Sequence, residues 1–397
     1  MEGVQDGRQY ALIPLSAIIR ALFWGMVLRM ASVHEIEREC QRSKLHPLAG
    51  AMSEDTIRYA LERVDLGSME QVWIQVAKRL KRNGVLVSRL AGGRLIAAVD
   101  GIEIVCSFHR CCERCLERGV TIKEKGQELT RIQYYHRIVV VSLVGLEFAV
   151  PLGLELMRAG EDEVACAERL LARLRRDLGP RFFDLLTVDA LYLRPGFVQK
   201  VEAMGWDWVA ALKENQPELL AEGKRLTGSR TPDHEETDSA GREVHIWEAP
   251  EVYWDTARRG VWVVRSVEER VETQRVGGQS RSETKRSENL CVTSLCKGKV
   301  RAMSVYRVSK ARWDLETQVF ADMTQNWFLK HPAIHTPVAF EAMLLMRFLA
   351  YLLFMVWASR QVYSRIANKK RLPLFIELSQ RLSDSLFLAV LPRLDSS

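Results

Sequence analysis

The stretch FFDLLTVDALYLRPGFVQKVEAMGWDWVAALKENQ, Phe182 to Gln216, decides how the chain is read. Leu185, Leu186 and Val188 form a short, β-rich apolar run that stops at Asp189; it is too short for a helix and suits a buried strand. Pro195 and Gly196 open a segment in which Phe197, Val201 and Met204 recur at helical spacing, and Gly205 closes it. Trp206 to Leu212 reads as a second strand, with Lys213 behind it. In an open α/β sheet the functional crevice lies beyond the carboxyl ends of the strands, so Asp189 and Lys213 are expected on one rim.

Upstream, Asp162 to Leu178 is an amphipathic helix. Val164, Ala167, Leu170, Leu171 and Leu174 face inward, Arg169, Arg173, Arg175 and Arg176 face outward, and Gly179-Pro180 ends it. His136 to Leu146 and Glu147 to Leu156 read as two more strands. Leu95 to Val99 is an apolar run that ends in Asp100-Gly101, with Glu103 to Phe108 as a following strand. Asp-Gly between apolar runs predicts a tight hairpin turn, and on that reading alone Asp100 is a turn residue. Three strands, a helix, the Leu185 strand, a helix and another strand make the ribonuclease-H-like sequence of elements. The fold class expected is therefore α/β, a mixed sheet flanked by helices.

The flanks divide the chain further. Residues 1–94 read as helical, with Ser53 as a cap ahead of Glu54 and Asp55, and with Met69, Val72, Trp73, Val76 and Leu80 on one face of a second helix. That helix ends in Lys78, Arg79, Lys81 and Arg82, either a contact for DNA phosphates or a solvated helix end. Residues 95–226 are the first part of the core. Residues 227–301 are a β-rich insertion whose tip, Arg270 to Arg286, reads as a flexible basic loop holding Arg275, Gly277, Gly278, Arg281, Lys285 and Arg286. Residues 302–366 complete the core with helices. In the first of them Arg312 and Glu316 stand four apart on one face. Residues 367–397 form a tail without a motif.

At 397 residues and 47% hydrophobic content the chain can bury a full core, which excludes a disordered protein. A net charge of +7 suits a polyanionic partner without identifying one. The apolar stretches Tyr10 to Met30 and Val338 to Trp357 are interrupted by charged residues, so both read as buried helices rather than membrane spans. Eight cysteines dispersed over this length indicate a reducing, cytoplasmic setting rather than a disulfide framework. Cys111, Cys112 and Cys115 lie together, with His109 and His136 on either side. They read as reduced thiols or as part of a structural Zn²⁺ site, whose remaining ligands would come from far away, Cys291 and Cys296 being candidates.

Asp100, Asp189 and Glu316, in the segments LIAAVDG, LLTVDALYL with WVAALKENQ, and ARWDLE, together resemble the DDE transposases of bacterial insertion sequences, in the broad IS-four-like class. The resemblance runs from about Arg94 to Trp357 and implies that these three acids are the catalytic, metal-holding residues. Arg312, sharing a face with Glu316, suits a phosphate contact through its planar fork of donors, and Lys213 at the neighbouring strand end reads either as a second phosphate contact or as a solvated lysine. The class signature runs Tyr, Arg, Glu, Lys; here Ser309 stands at the Tyr step, with Tyr306 one turn earlier, and Met323 at the Lys step. The partners implied are double-stranded DNA, as terminal inverted repeats and target, and a second copy of the chain, in a bacterial nucleoid setting. Two Mg²⁺ ions, or Mn²⁺, are the cofactors implied, because hard carboxylate oxygens hold such ions while leaving positions for water and phosphate. The departures at Ser309 and Met323 leave two alternatives: a catalytically decayed DNA-binding protein, or a metal nuclease of the same fold.

Overall fold

The computed structural model describes residues 3–366 apart from 43–44, 125–126, 229, 238–240 and 277–278. The tail expected over 367–397, and Gly277-Gly278, lie outside the described residues. The chain opens with helices α1 (Leu15–Val27), α2 (Val33–Arg42), α3 (His46–Ala49), α4 (Glu54–Leu61) and α5 (Leu66–Arg82). Their starts follow from local chemistry. The Ser53 hydroxyl accepts the Thr56 N–H at 3.2 Å, and the Asp65 carboxylate accepts that of Ser68 at 2.8 Å. The indole of Trp73 donates to the Pro151 carbonyl at 3.0 Å, which fixes α5 against the sheet. Lys81 donates to the carbonyls of Arg181 and Phe182, so this member of the basic run fastens a helix end instead of reaching outward.

The sheet begins with β1 (Ile96–Ser107), β2 (Leu116–Glu124), β3 (Gln127–Val144) and β4 (Val150–Leu156). Helix α6 (Glu163–Leu178) then leads to β5 (Leu185–Val188), and α7 (Pro195–Ala203) to β6 (Asp207–Ala211). β3 lies antiparallel between β4 and β1, β5 is parallel to β1, and β6 is parallel to β5. The spatial order β4-β3-β1-β5-β6, with three antiparallel strands followed by two parallel ones, is the ribonuclease-H-like arrangement expected. The inward positions foreseen for α6 are all buried. Arg169 and Arg173, expected outward, instead pair with Glu155 on β4.

The expected hairpin at Asp100-Gly101 is not formed. β1 runs straight through it, paired with β3 from Ile96↔Val144 to Glu103↔Arg137 and again beyond a bulge. A glycine inside a strand costs about 0.5–1 kcal/mol. Continuing the strand buries Ile104 and Val105, worth roughly 1.5–3 kcal/mol each, so burial outweighs the local turn preference. β2 was not foreseen, and β4 starts at Val150 rather than Glu147.

After α8 (Pro217–Gly228) come β7 (His234–Thr237), β8 (Glu243–Trp254), β9 (Arg259–Val276) and β10 (Gln279–Thr293). β10 pairs with β6, so this β-rich segment extends the core sheet, giving ten strands among the described residues. The flexible loop expected over 270–286 is instead a long ladder in which β9 and β10 pair as far as Val276↔Gln279. Helix α9 (Ala302–Ala311) passes into a π-helical stretch, Leu315–Phe320, and then α10 (Ala321–Asn326). Last is α11 (Pro337–Ile366), the one described helix long and apolar enough to cross a membrane. Most of it is packed inside the protein, with Arg347 buried and donating to the Phe328 carbonyl at 2.6 Å.

Candidate active site

Val99 on β1 stands in register with Val188 on β5. Asp100 and Asp189 therefore follow side by side on neighbouring parallel strands, whose spacing is about 4.8 Å. β5 ends there, and Asp189 in extended backbone leads into the single turn Ala190–Tyr192. The neighbouring strand β6 delivers Lys213, whose ammonium lies 3.1 Å from Asp189 Oδ1. Glu316 arrives from the π-helical stretch, a widened turn of a kind frequent at functional sites. One nitrogen of Arg312, Nη1, bridges Glu316 Oε1 at 2.6 Å and Asp100 Oδ2 at 3.3 Å. The Arg312 side chain is nearly buried and sits over the ring of Trp313, which is itself half exposed.

Asp314 and Asp322, the acids closest to Glu316 in sequence, have other duties. Asp314 accepts the Gly145 N–H at 2.9 Å and the Gln318 amide at 2.7 Å, and Gln318 accepts the Ala149 N–H at 3.0 Å. Together they fasten the Glu316 turn to the β3–β4 connection. Asp322 pairs with Asn326, and Glu103 points to Arg118, at 2.7 Å, on the outer hairpin. Ser309 lines the cleft beside Asp189 and Arg312, whereas Met323 is completely buried, so the position where the family signature has lysine faces the core.

One carboxylate that sequence reasoning missed stands behind the rim. Glu163, the first residue of α6, packs on Gly101, where a methyl group would overlap its carboxylate. It is held by the Tyr192 hydroxyl at 2.8 Å and by Arg137 at 2.7 Å. Only an acid following a helix cap announces it in sequence. Burial, with the Glu316 and Glu163 carboxylates, pushes Asp100 up to about 7 against the pull of the Gly101 N–H and Arg312. Burial also works to raise Asp189, but the Ala190 N–H, Lys213 and Arg312 overcome it and leave this acid below its ordinary value.

In front of Asp189 lies a cleft of about 360 Å³, lined in part by Lys213, Lys224, Lys310, Arg312 and Trp313. A larger cavity of about 640 Å³, between Asn83–Arg89 and the β3–β4 connection, contains none of the three acids. Among the described residues, the groups of metal-ligating side chains whose donor atoms all lie within 4.8 Å of one another do not include Asp100, Asp189 and Glu316 together. The rim is thus more open than a closed metal cage, with Arg312 and Lys213 each engaging the acids. Its donor set, carboxylate oxygens alone, is that of a hard divalent cation, and Asp100 carries the charge strain such a cation relieves. All eight cysteines are free thiols. Of the three expected to share zinc, Cys111 is exposed and outside any cluster, while Cys112 and Cys115 meet His136 and His335.

A family model described as "Transposase DDE domain" matches residues 92–353. Among solved structures, a cryo-EM structure of a piggyBac transposase synaptic complex with hairpin DNA is similar over 95% of this chain and 72% of that one, at 12% identity and a TM-score of 0.41, a likeness too low to carry an argument. No curated protein sequence matches the chain.

Proposed function

The chain belongs to the transposase DDE domain family, which spans well over half of it, and on that premise we propose that it cuts DNA at the ends of a mobile element and joins the freed strand to target DNA. The observation that supports this reading is Asp100, inside β1, lying beside Asp189 just past the end of β5, with Glu316 tied to Asp100 through a shared Arg312 nitrogen. We assign Asp100, Asp189 and Glu316 to holding divalent ions, Mg²⁺ or Mn²⁺, with Asp100 between the other two. Such ions, when bound, supply positive charge at the attacking and leaving oxygens of an in-line displacement.

The chain's own residues do the rest. Arg312 presents a planar fork of donors that can pass from the carboxylates to a phosphate. Lys213, from the next strand end, does the same as a point charge. The cleft before Asp189, lined by Lys213, Lys224, Lys310 and Arg312 and also by Glu214 and Glu288, takes the strand whose phosphate reacts, and the half-exposed Trp313 ring in its lining offers a face on which a base can stack. Cleavage by water and attack by the freed 3′-hydroxyl use one site because only the nucleophile changes. The helical region 1–94 and the 227–301 extension are assigned to holding DNA, and two copies of the chain to pairing the element ends.

The test is excision and integration of the chain's own element from a plasmid, with Asp100→Asn, Asp189→Asn and Glu316→Gln in turn. Loss of both reactions is expected for each, and full activity in any one removes that residue from the site. Binding to element ends with no cleavage in Mg²⁺ or Mn²⁺ identifies instead a decayed DNA-binding protein. Cleavage without joining identifies a nuclease.

A further inference from the structure

The described residues hold a second cluster, which the proposed strand transfer does not use. Cys112 and Cys115 lie in the turn between β1 and β2, His136 is on β3, and His335 precedes α11. Their donor atoms all lie within 4.8 Å of one another. We propose that Cys112, Cys115, His136 and His335 form a structural zinc site.

The first argument is metric. Zinc binds thiolate at about 2.3 Å and imidazole at about 2.0–2.1 Å in a tetrahedron, so the edges of an occupied site are about 3.8 Å for S to S, about 3.6 Å for S to N and about 3.3 Å for N to N. Here the two sulfurs are 3.8 Å apart. Sulfur-to-nitrogen separations are 3.4 Å for Cys112–His136, 3.3 Å for Cys115–His136 and 3.5 Å for Cys115–His335. The two imidazole Nε2 atoms are 3.0 Å apart. Each of these five edges lies within about 0.3 Å of its ideal, and the sixth, Cys112 to His335, is within 4.8 Å. A disulfide is excluded, since it needs sulfurs at about 2.05 Å.

The second argument is the local backbone. The Cys-x-x-Cys spacing forms a turn in which the Cys115 N–H donates to the Cys112 carbonyl at 3.0 Å, and the Cys112 N–H points at the Cys115 sulfur at 3.2 Å. The amide aimed at the Cys115 sulfur holds that atom beside the two imidazoles. The imidazoles are held as well: His136 is buried and packs on Phe340 with ring centroids 4.6 Å apart, and His335 packs on the same ring at 5.6 Å. The two other candidate groups, His34 with Glu37 and Glu54, and His245 with Glu243 and Glu269, combine one imidazole with surface carboxylates and build no such cage.

The third argument is donor type. Two thiolates and two imidazoles suit zinc, whereas a carboxylate rim suits magnesium or manganese, so the two sites differ in the ion their donors favour. Four protein ligands leave no open position, and the site is structural rather than catalytic. It clips the turn after β1 to the segment before α11, across 220 residues of sequence between Cys115 and His335. Asp100 lies on the strand entering that turn and Glu316 on the helix preceding that segment, so the clip also steadies the two arms that bring these acids together.

Full-length protein, expressed in zinc-supplemented cells and desalted, is assayed by atomic emission, and about one zinc per chain is expected. Exchange with Co²⁺ is expected to give tetrahedral visible bands and a thiolate-to-cobalt charge-transfer band, which carboxylate sites cannot produce. Cys115→Ser and His335→Ala should abolish both signals, while Cys111→Ser and Asp100→Asn keep them. Because the ligand variants can fail to fold, unaltered protein is also treated with an organomercurial in the presence of a zinc-sensing dye; release of stoichiometric zinc supports the site. Zinc-free protein that gives no charge-transfer band on Co²⁺ addition overturns it, as does equal metal loss in Cys111→Ser. Either outcome leaves the carboxylate rim untouched, since excision tests that rim separately.

Discussion

The carboxylate rim and the thiol–imidazole cluster are built on opposite plans. At the rim, hard donors stand apart with protein cations between them: Arg312 bridges Asp100 and Glu316, and Lys213 holds Asp189. In the cluster, two thiols and two imidazoles have their donor atoms within 4.8 Å of one another. On the proposed function the rim opens to water and phosphate, which requires Arg312 and Lys213 to leave the acids they now engage. A structural site needs no opening, and its ligands are locked by a turn, a strand and an aromatic ring. Under the two proposals, metal binding in this chain is divided by donor chemistry and by rigidity.

The largest effect is expected at the rim. Replacing Asp100, Asp189 or Glu316 by its amide should reduce strand cleavage on the order of 10³-fold or more, the several kcal/mol of charge stabilisation a held metal supplies, with zinc content unchanged. A fall in zinc with these variants would break the separation of the two regions. Next, Gly101→Ala should cost roughly 10–100-fold in cleavage, as loss of a supporting interaction does, because its methyl group displaces Glu163 and shifts Asp100. Activity equal to the parent would show that the packing of Glu163 on β1 is irrelevant to the rim.

Chelation of zinc, or His335→Ala, should lower the melting temperature by roughly 5–10 °C while Mg²⁺ leaves it unchanged. The reverse pattern would exchange the roles assigned to the two regions. Lys213→Ala should weaken DNA binding uniformly across sequences and reduce the slope of log K against log salt by about 1. An unchanged slope would place Lys213 off the DNA path.

The smallest effect is expected at a buried acid that belongs to neither ligand set. Glu70 is pushed up from 4.5 to about 7, first by burial, with Arg173 opposing and Glu155 and Glu341 adding to the rise. Its folded value lies above its unfolded one, so the folded chain holds the proton more tightly. Stability attributable to Glu70 therefore falls as pH climbs from about 4.5 to about 7, and the cost is complete above that. Glu70→Gln should flatten this slope in denaturant titrations at several pH values, with or without metal. A slope that depends on Mg²⁺ would assign it to the rim instead.

Much of the scaffold was legible from local pattern. Phe182 to Gln216 folds as strand, helix and strand, Ser53 caps α4, and Val164 to Leu174 line the buried face of α6. These features are set within a few residues by periodicity and capping. The Asp100-Gly101 turn was misread because its local preference is smaller than the gain from carrying β1 on beneath its neighbours. The expected basic loop became a ladder because β9 and β10 could pair along the edge of a sheet that pattern alone did not extend that far. Glu163 and His335 escaped notice because each lies in an unremarkable local context and acquires a partner only across the fold.

The sequence by itself determined the donor inventory, the order of elements and the register-setting apolar runs, since residue type and short-range periodicity act without help from distant chain. Tertiary structure alone decided that Asp100 lies within a strand beside Asp189, that Arg312 stands between two acids, and that Cys115 meets His335. Those outcomes depend on which surfaces are buried together, and burial between distant segments overrides preferences worth about 1 kcal/mol.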